Sequence, residues 1–309
     1  MEEKSLTLAR RSIPFEEVLT IIYVLVDDWY KQVWMKGESY KMRGRHGFSE
    51  SEMLTLMLAH DYLPYPGESQ YLAYIRANYL KLFPKLVDQP QYNRRSRILR
   101  MCMEYLRRYL LLEMNAELER EVIVDTKPVP VIGYKRNKTH SDFWWSADYG
   151  VCKSRHMDYY GYKLVMICSK QGIPLVYDLV AANTDERVAA ETVLCQLSGF
   201  TVLGDKGFIG EEWQLMQLEL TANRILTPKR KNQHNQNTKG LDQWLNATRE
   251  RIEGCFNEIQ NVGRHLEHLK AKKLDGIVTR VCAKVSSHLL RLWLKFRLHL
   301  DIQGFSIAI

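Results

Sequence analysis

The chain has 309 residues, 46% of them hydrophobic, which excludes a mainly disordered protein and suffices for one large core or two. An excess of 44 Lys and Arg over 36 Asp and Glu gives a formal charge of +8, so a polyanionic partner is the natural expectation. Six cysteines stand singly with no CxxC pair, which speaks against a cysteine zinc site and suits small buried thiols in a reducing compartment.

Met1-Glu2-Glu3-Lys4 carries no signal-peptide h-region, and the apolar stretch Val18 to Val26 is too short to span a bilayer. A cytoplasmic protein with no membrane partner is expected. Residues 1–118 read as an all-helical domain. Ile13 to Tyr30 is apolar with acids at one edge, and Arg43-Gly44-Arg45 is a basic turn. Ser49 and Glu52 have capping-box spacing, with Phe48 and Met53 placed as a hydrophobic staple. That helix should run through His60 and end at Pro64 and Pro66. Ser69 to Leu82 predicts a further helix. Residues 91–115 predict one basic amphipathic helix, with Arg94, Arg95, Arg97, Arg100, Arg107 and Arg108 interleaved with Ile98, Leu99, Leu106 and Leu110. These arginines are either a solvated face or phosphate contacts, and a DNA-binding or oligomerisation role for 1–118 follows from the second reading.

The character changes at Glu121. A β-branched run, Glu121 to Asp125, predicts a strand ending in a carboxylate. Tyr159 to Ser169 and Ile173 to Ala181 predict a hairpin turning at Gln171-Gly172. Thr184 to Leu197 predicts a helix capped by Asn183 or Thr184, with Asp185 a competing cap. Thr201 to Asp205 predicts a fourth strand, again ending in a carboxylate before the Gly turn of Gly204-Asp205-Lys206-Gly207. Gly210 to Glu219 predicts a helix and Arg224 to Thr227 a fifth strand closed by Pro228. The order predicts an α/β domain over 119–309, a mixed five-stranded sheet with flanking helices. Lys229 to Gly240, including Lys229, Arg230 and Lys231, lacks an apolar anchor and predicts a mobile basic loop. Leu241 to Gln260 and Lys273 to Leu298 predict two closing helices.

Three acids share one plan. Asp125 and Asp205 come from separate strand ends, where open α/β sheets bind ligands. Glu253 lies in the helical stretch Arg249-Glu250-Arg251-Ile252-Glu253-Gly254-Cys255-Phe256. Arg249, one turn earlier, is placed to hold a phosphate or orient Glu253. Glu250 and Glu258 are competing acids on this helix. Asp148 and Asp158 compete elsewhere. Carboxylates of this kind suit a hard divalent cation, and two such ions roughly 3.5 to 4 Å apart serve phosphoryl transfer. An Asp, Asp, Glu series in a basic protein therefore points to metal-dependent cutting and joining of DNA. Lys206, beside the second acid, is a candidate phosphate contact. Lys135, Arg136, Lys138, Lys153 and Arg155 are candidate backbone contacts around Trp144 and Trp145. The two tryptophans read as loop packing against the core, with base stacking as the alternative.

The segments VIVDTKPVPV, YYGYKLVMICSKQGIPLVYDLVAANTDE, VLGDKGF and RERIEGCF resemble bacterial insertion-sequence transposases of the DDE class over about residues 120–295. The resemblance implies a ribonuclease H-like core, Asp125, Asp205 and Glu253 as catalytic and metal-binding acids, and Arg249 as an accessory residue. Some relatives carry a Tyr-x2-Arg-x3-Glu-x6-Lys pattern at the third acid. Here Asn246 stands at the Tyr position and Gln260 at the Lys position. The resemblance also implies Mg²⁺, with Mn²⁺ able to substitute, double-stranded DNA with terminal inverted repeats and a target site, and a homodimer or larger assembly on DNA. It implies a place in the bacterial cytoplasm, at the nucleoid when bound to DNA. A nuclease of the same fold, or a DNA-binding relative without activity, are the competing functions.

Overall fold

A computed structural model describes residues 13–35, 47–134, 141–152, 156–230, 236–263 and 265–300. The helical region holds α1 (Phe15–Trp29), α2 (Glu50–Ala59), α3 (Glu68–Asn78), α4 (Gln89–Ile98) and α5 (Arg100–Glu113). α2 begins at the capping box the sequence predicts: the Ser49 hydroxyl accepts from the Glu52 amide at 3.1 Å, and the Ser49 amide donates to the Glu52 carboxylate at 2.6 Å. Phe48 and Met53 are both buried beside it. α2 stops at Ala59, and His60 to Tyr62 form a 3-10 turn before Pro64.

The basic segment expected as one helix is two. α4 and α5 meet at Leu99, whose φ of −81° and ψ of 0° leave the α-helical basin. The break turns Arg107 inward instead of leaving it on a solvated face. Buried at 3% exposure, its guanidinium donates to the Pro174 and Leu175 carbonyls at 3.0 and 2.9 Å and pairs with Glu104 at 2.7 Å. It thereby stitches the helical region to the sheet.

The sheet comprises β1 (Glu121–Ile132), β2 (Asp148–Cys152), β3 (Met157–Ser169), β4 (Pro174–Ala181), β5 (Thr201–Leu203) and β6 (Arg224–Leu226). β3 lies between β1 and the end-to-end pair β2 and β4, all antiparallel, while β5 and β6 continue parallel on the other side of β1. The spatial order β4-β3-β1-β5-β6 is the ribonuclease H-like arrangement, and β2 is a sixth strand beyond the five expected. β1 does not end at Asp125. It runs seven residues further, through Pro128 and Pro130, paired with β3. β5 pairs only with residues 121–123, so the later part of β1 is an open edge on that side, where prolines without an N–H are tolerated.

Helices α6 (Glu186–Leu194) and α7 (Glu211–Thr221) follow β4 and β5, and α8 (Lys239–Asn261) and α9 (Leu274–Leu298) close the chain. α6 is capped by Asp185, which accepts from the Arg187 amide at 3.0 Å. α8 starts at Lys239 with Thr238 as its cap, so the basic segment before it is shorter than predicted. Alternation along β1 divides two cores. Val122 and Val124 face the helical region, together with Val165, Ile167 and Val202. Ile123 and Val129 face α8, together with Leu164, Met166, Cys168, Leu203, Phe256 and Ile259.

α9 is the wall between these cores. Ile277, Val281 and Val285 belong to the α8 side, and Ala283, Leu289 and Leu290 to the helical side. It therefore buries more than the one apolar stripe the sequence suggests. Three of its buried polar residues reach across the fold. Arg280 pairs with Glu68 at 2.7 Å, Lys284 donates to the Val262 carbonyl at 2.7 Å, and Ser287 donates to the Leu58 carbonyl at 3.0 Å. Among the described residues, no helix is long and apolar enough to cross a membrane.

Candidate active site at the end of the parallel ladder

The β1–β5 ladder ends with Ile123 opposite Leu203. Two residues beyond each stands an aspartate, Asp125 on β1 and Asp205 after β5. Period-two alternation puts Asp125 on the face of Ile123, and the extended Asp205, with φ −81° and ψ −172°, continues the line of Leu203. Both carboxylates are partly exposed. The Thr126 amide donates to Asp125 at 2.8 Å, and the Gly207 amide donates to Asp205 at 2.7 Å, making Asp205 the cap of a 3-10 turn over Lys206–Phe208.

A third acid approaches Asp205, and it is not one the sequence singles out. Glu186, the first residue of α6, is half-buried against the turn after Asp205. A Cβ at Gly207 would collide with the Glu186 carboxylate and lie 2.9 Å from Asp205 Oδ1, so only glycine admits both acids there. Burial and then the Asp205 carboxylate hold Glu186 above the ordinary carboxylate range. Lys163 opposes this, and Asp125 and Asp185 add to it. Lys163 itself donates to the Thr184 carbonyl at 2.8 Å. The Asp-Glu pair at 185–186 is visible in the sequence, but its proximity to Asp205 depends on the crossover after β4.

Glu253 lies on α8, exposed, one turn before the fully buried Phe256. Phe256 receives the Lys127 ammonium at 5.3 Å from its ring centroid, and Lys127 also lies 3.8 Å from Asp125. The helix of the third predicted acid thus packs on the strand of the first. Among the described residues, however, no three acids, histidines or cysteines are drawn into a metal-ligand cluster, so Glu253 is not assembled with the two aspartates. The Glu250 side chain is exposed as well, while Arg249 falls on α8 with its side chain outside the described residues. Behind the helix, Cys255 lies 3.9 Å from Cys168 and 3.5 Å from His288, and both Cys255 and His288 reach the Gly172 carbonyl, at 3.1 and 3.2 Å.

The donor chemistry fits a hard divalent cation. Asp125 and Asp205 offer carboxylate oxygens at neighbouring strand positions, each with one backbone N–H bond to orient it. Among the described residues no cluster with a thiol or imidazole is formed there that would select a softer metal.

The other candidate residues are dispersed. Lys206 is exposed beside Asp205. Lys229 lies 3.9 Å from Glu211, and Arg230 is exposed. Arg94 is exposed on α4, whereas Arg95 donates to the Phe48 carbonyl at 2.9 Å and lies over the Phe48 ring. Arg43, Arg45, Lys135, Arg136, Lys138, Lys153, Arg155 and Lys231 lie outside the described residues. Trp144 and Trp145 are 66% and 63% exposed, which overturns packing against the core; Phe143, buried beside them, is the anchor of that loop. Trp145 lines a groove with Arg100, Lys273 and Leu274.

A family model described as a transposase DDE domain matches residues 115–274, more than half of the chain, and spans both aspartates, Glu186 and Glu253. No curated protein and no solved structure matches. On the strength of that match and of the ribonuclease H-like strand order, the chain belongs to the family of DDE-class transposase domains, whose reaction is the cleavage and transfer of DNA strands.

Proposed function

We propose that this protein is a transposase that binds the ends of an insertion sequence, cuts there and joins the freed ends to target DNA, with Mg²⁺ as its metal and Mn²⁺ as a substitute. The observation that carries the reading is the placement of Asp125 and Asp205, each two residues beyond the Ile123–Leu203 pair. Asp125 and Asp205 would hold the metal from the sheet, and Glu253 would reach it from α8. The chemistry a divalent cation supplies there is activation of the attacking oxygen and stabilisation of the leaving one. Lys206, exposed next to Asp205, holds a phosphate oxygen of the strand being cut. Arg249 steadies Glu253 or a phosphate. The helical region 1–118 supplies DNA binding or assembly, with Arg43, Arg45, Arg94 and Arg95 as backbone contacts, and Lys135, Arg136, Lys138, Lys153, Arg155, Lys229, Arg230 and Lys231 extend that surface over the catalytic region. Trp144 and Trp145, both exposed, offer faces on which an unpaired base stacks. The working unit is a homodimer or larger assembly on DNA.

The test is a Mg²⁺-dependent cleavage and strand-transfer assay on the element's own ends, with Asp205→Asn alongside. Joined products from the unmodified protein alone support the reading. Cleavage without joining points to a nuclease. End binding with no metal-dependent chemistry in either protein identifies an inactive DNA-binding relative.

A further inference from the structure

Lys127 stands at the contact between the strand of Asp125 and the helix of Glu253. Being two residues on from Asp125 along β1, it shares that residue's face, and its Nζ lies 3.8 Å from Asp125 Oδ2. Its stem crosses to α8, where the ammonium lies 5.3 Å from the ring centroid of Phe256, three residues after Glu253. The side chain is 22% exposed, so the charge is largely covered and yet retains a path to solvent. The 3.8 Å separation is a loose ion pair, too long for a hydrogen bond.

We infer that Lys127 is a positioning residue: it holds the cation place beside Asp125 and gives it up, in exchange for a DNA phosphate, when a divalent ion takes that carboxylate. The inference rests on the assignment of Asp125 as a metal ligand. An ammonium and a divalent ion cannot share one carboxylate at this distance without strong mutual repulsion. A lysine head on a flexible four-carbon stem can swing aside, leaving both Asp125 and the Phe256 ring for the phosphate. The anion that arrives with the ion is the phosphate of the bound strand, and it is the nearest new partner. Metal and DNA binding are then coupled through this side chain, and coupling of this kind is reciprocal.

The experiment uses the full chain and measures Mn²⁺ binding without DNA by the electron paramagnetic resonance of free Mn²⁺, for the unmodified protein, Lys127→Met, Lys127→Arg and Asp125→Asn. The affinity of each protein for a short DNA duplex is then measured with and without Mn²⁺. Lys127→Met should bind Mn²⁺ alone about two- to tenfold more tightly, because a competing cation is gone. The same variant should lose most of the gain in DNA affinity that Mn²⁺ brings, and Lys127→Arg should retain it. A lysine that merely braces the helix would weaken Mn²⁺ binding when removed, and that result overturns the inference. Unchanged Mn²⁺ binding in Lys127→Met, with binding lost in Asp125→Asn, overturns it too while leaving the metal site standing. Unchanged binding in Asp125→Asn removes the metal assignment beneath it as well.

Discussion

Asp125 and Asp205 occupy equivalent positions beyond the ladder of two adjacent parallel strands, each two residues past the Ile123–Leu203 pair. The backbone N–H bonds they accept, from Thr126 and Gly207, are local ones that orient the carboxylates.

Replacing either aspartate by asparagine should therefore cost activity and spare the fold. Asp125→Asn and Asp205→Asn are expected to lower the strand-cleavage rate by about a hundredfold or more, on the scale of losing a charge-stabilising group at a reacting centre. Thermal unfolding of both variants should stay close to that of the unmodified protein. A variant that cleaves at the normal rate would remove its aspartate from the site.

Glu186 gives a pH-dependent prediction for the metal-free protein. Burial and the Asp205 carboxylate raise its folded value above the ordinary 4.5. The folded state then holds a proton that the unfolded chain has released, so stability falls as pH rises from the ordinary value to the raised one. Glu186→Gln should remove that fall. In denaturant melts with a chelator, it should be more stable than the unmodified protein well above pH 4.5 and equal to it well below. A variant less stable at neutral pH would mean that the carboxylate is held by attraction instead.

The buried pair between Arg280 and Glu68 joins α9 to α3 at 2.7 Å, with side-chain exposures of 10% and 6%. Arg280→Met leaves the Glu68 charge buried, with the side-chain amides of Gln89 and Asn93 as its remaining partners among the described residues. The expected loss is about 3–5 kcal/mol. Changing both residues to apolar ones of similar volume should recover much of it. Urea denaturation of the single and double variants checks both statements.

Trp144 and Trp145 make the opposite case. At 66% and 63% exposed, their replacement by alanine should alter stability by no more than about 0.5 kcal/mol. Affinity for DNA with unpaired bases should fall by about 1–3 kcal/mol for each stacked base lost. Equal losses on fully paired duplex would assign the two rings to some other contact.

Much of this site is legible in the sequence, and what is not has a physical reason. The two aspartates are legible because each follows an apolar β-branched run. The true length of β1 is not, since the β-branched run stops at Asp125 and the continuation through Pro128 and Pro130 depends on the edge that β5 leaves unpaired. The break at Leu99 carries no proline or glycine to announce it. Glu186 could not be read as a neighbour of Asp205, because the approach is set by the crossover from β4 into α6 and by the bare Cα of Gly207. Glu253 has the opposite status. Spacing and resemblance favour it, and α8 lies on the right strand, but its carboxylate is not gathered with the aspartates.

The role of α9 as a wall between two cores bears on how the protein is made. Its partners include Leu58, Glu68 and Val262, so helices made early in this chain complete their packing only when α9 is in place. Until residues 274–298 emerge, the apolar faces of α2 and α5 rest on their helical neighbours alone and lack the surface that α9 supplies. Part of the helical core then stays uncovered during synthesis, a state open to chaperones and to aggregation. A chain cut short before α9 would leave that part of the core open, and it should be cleared instead of accumulating.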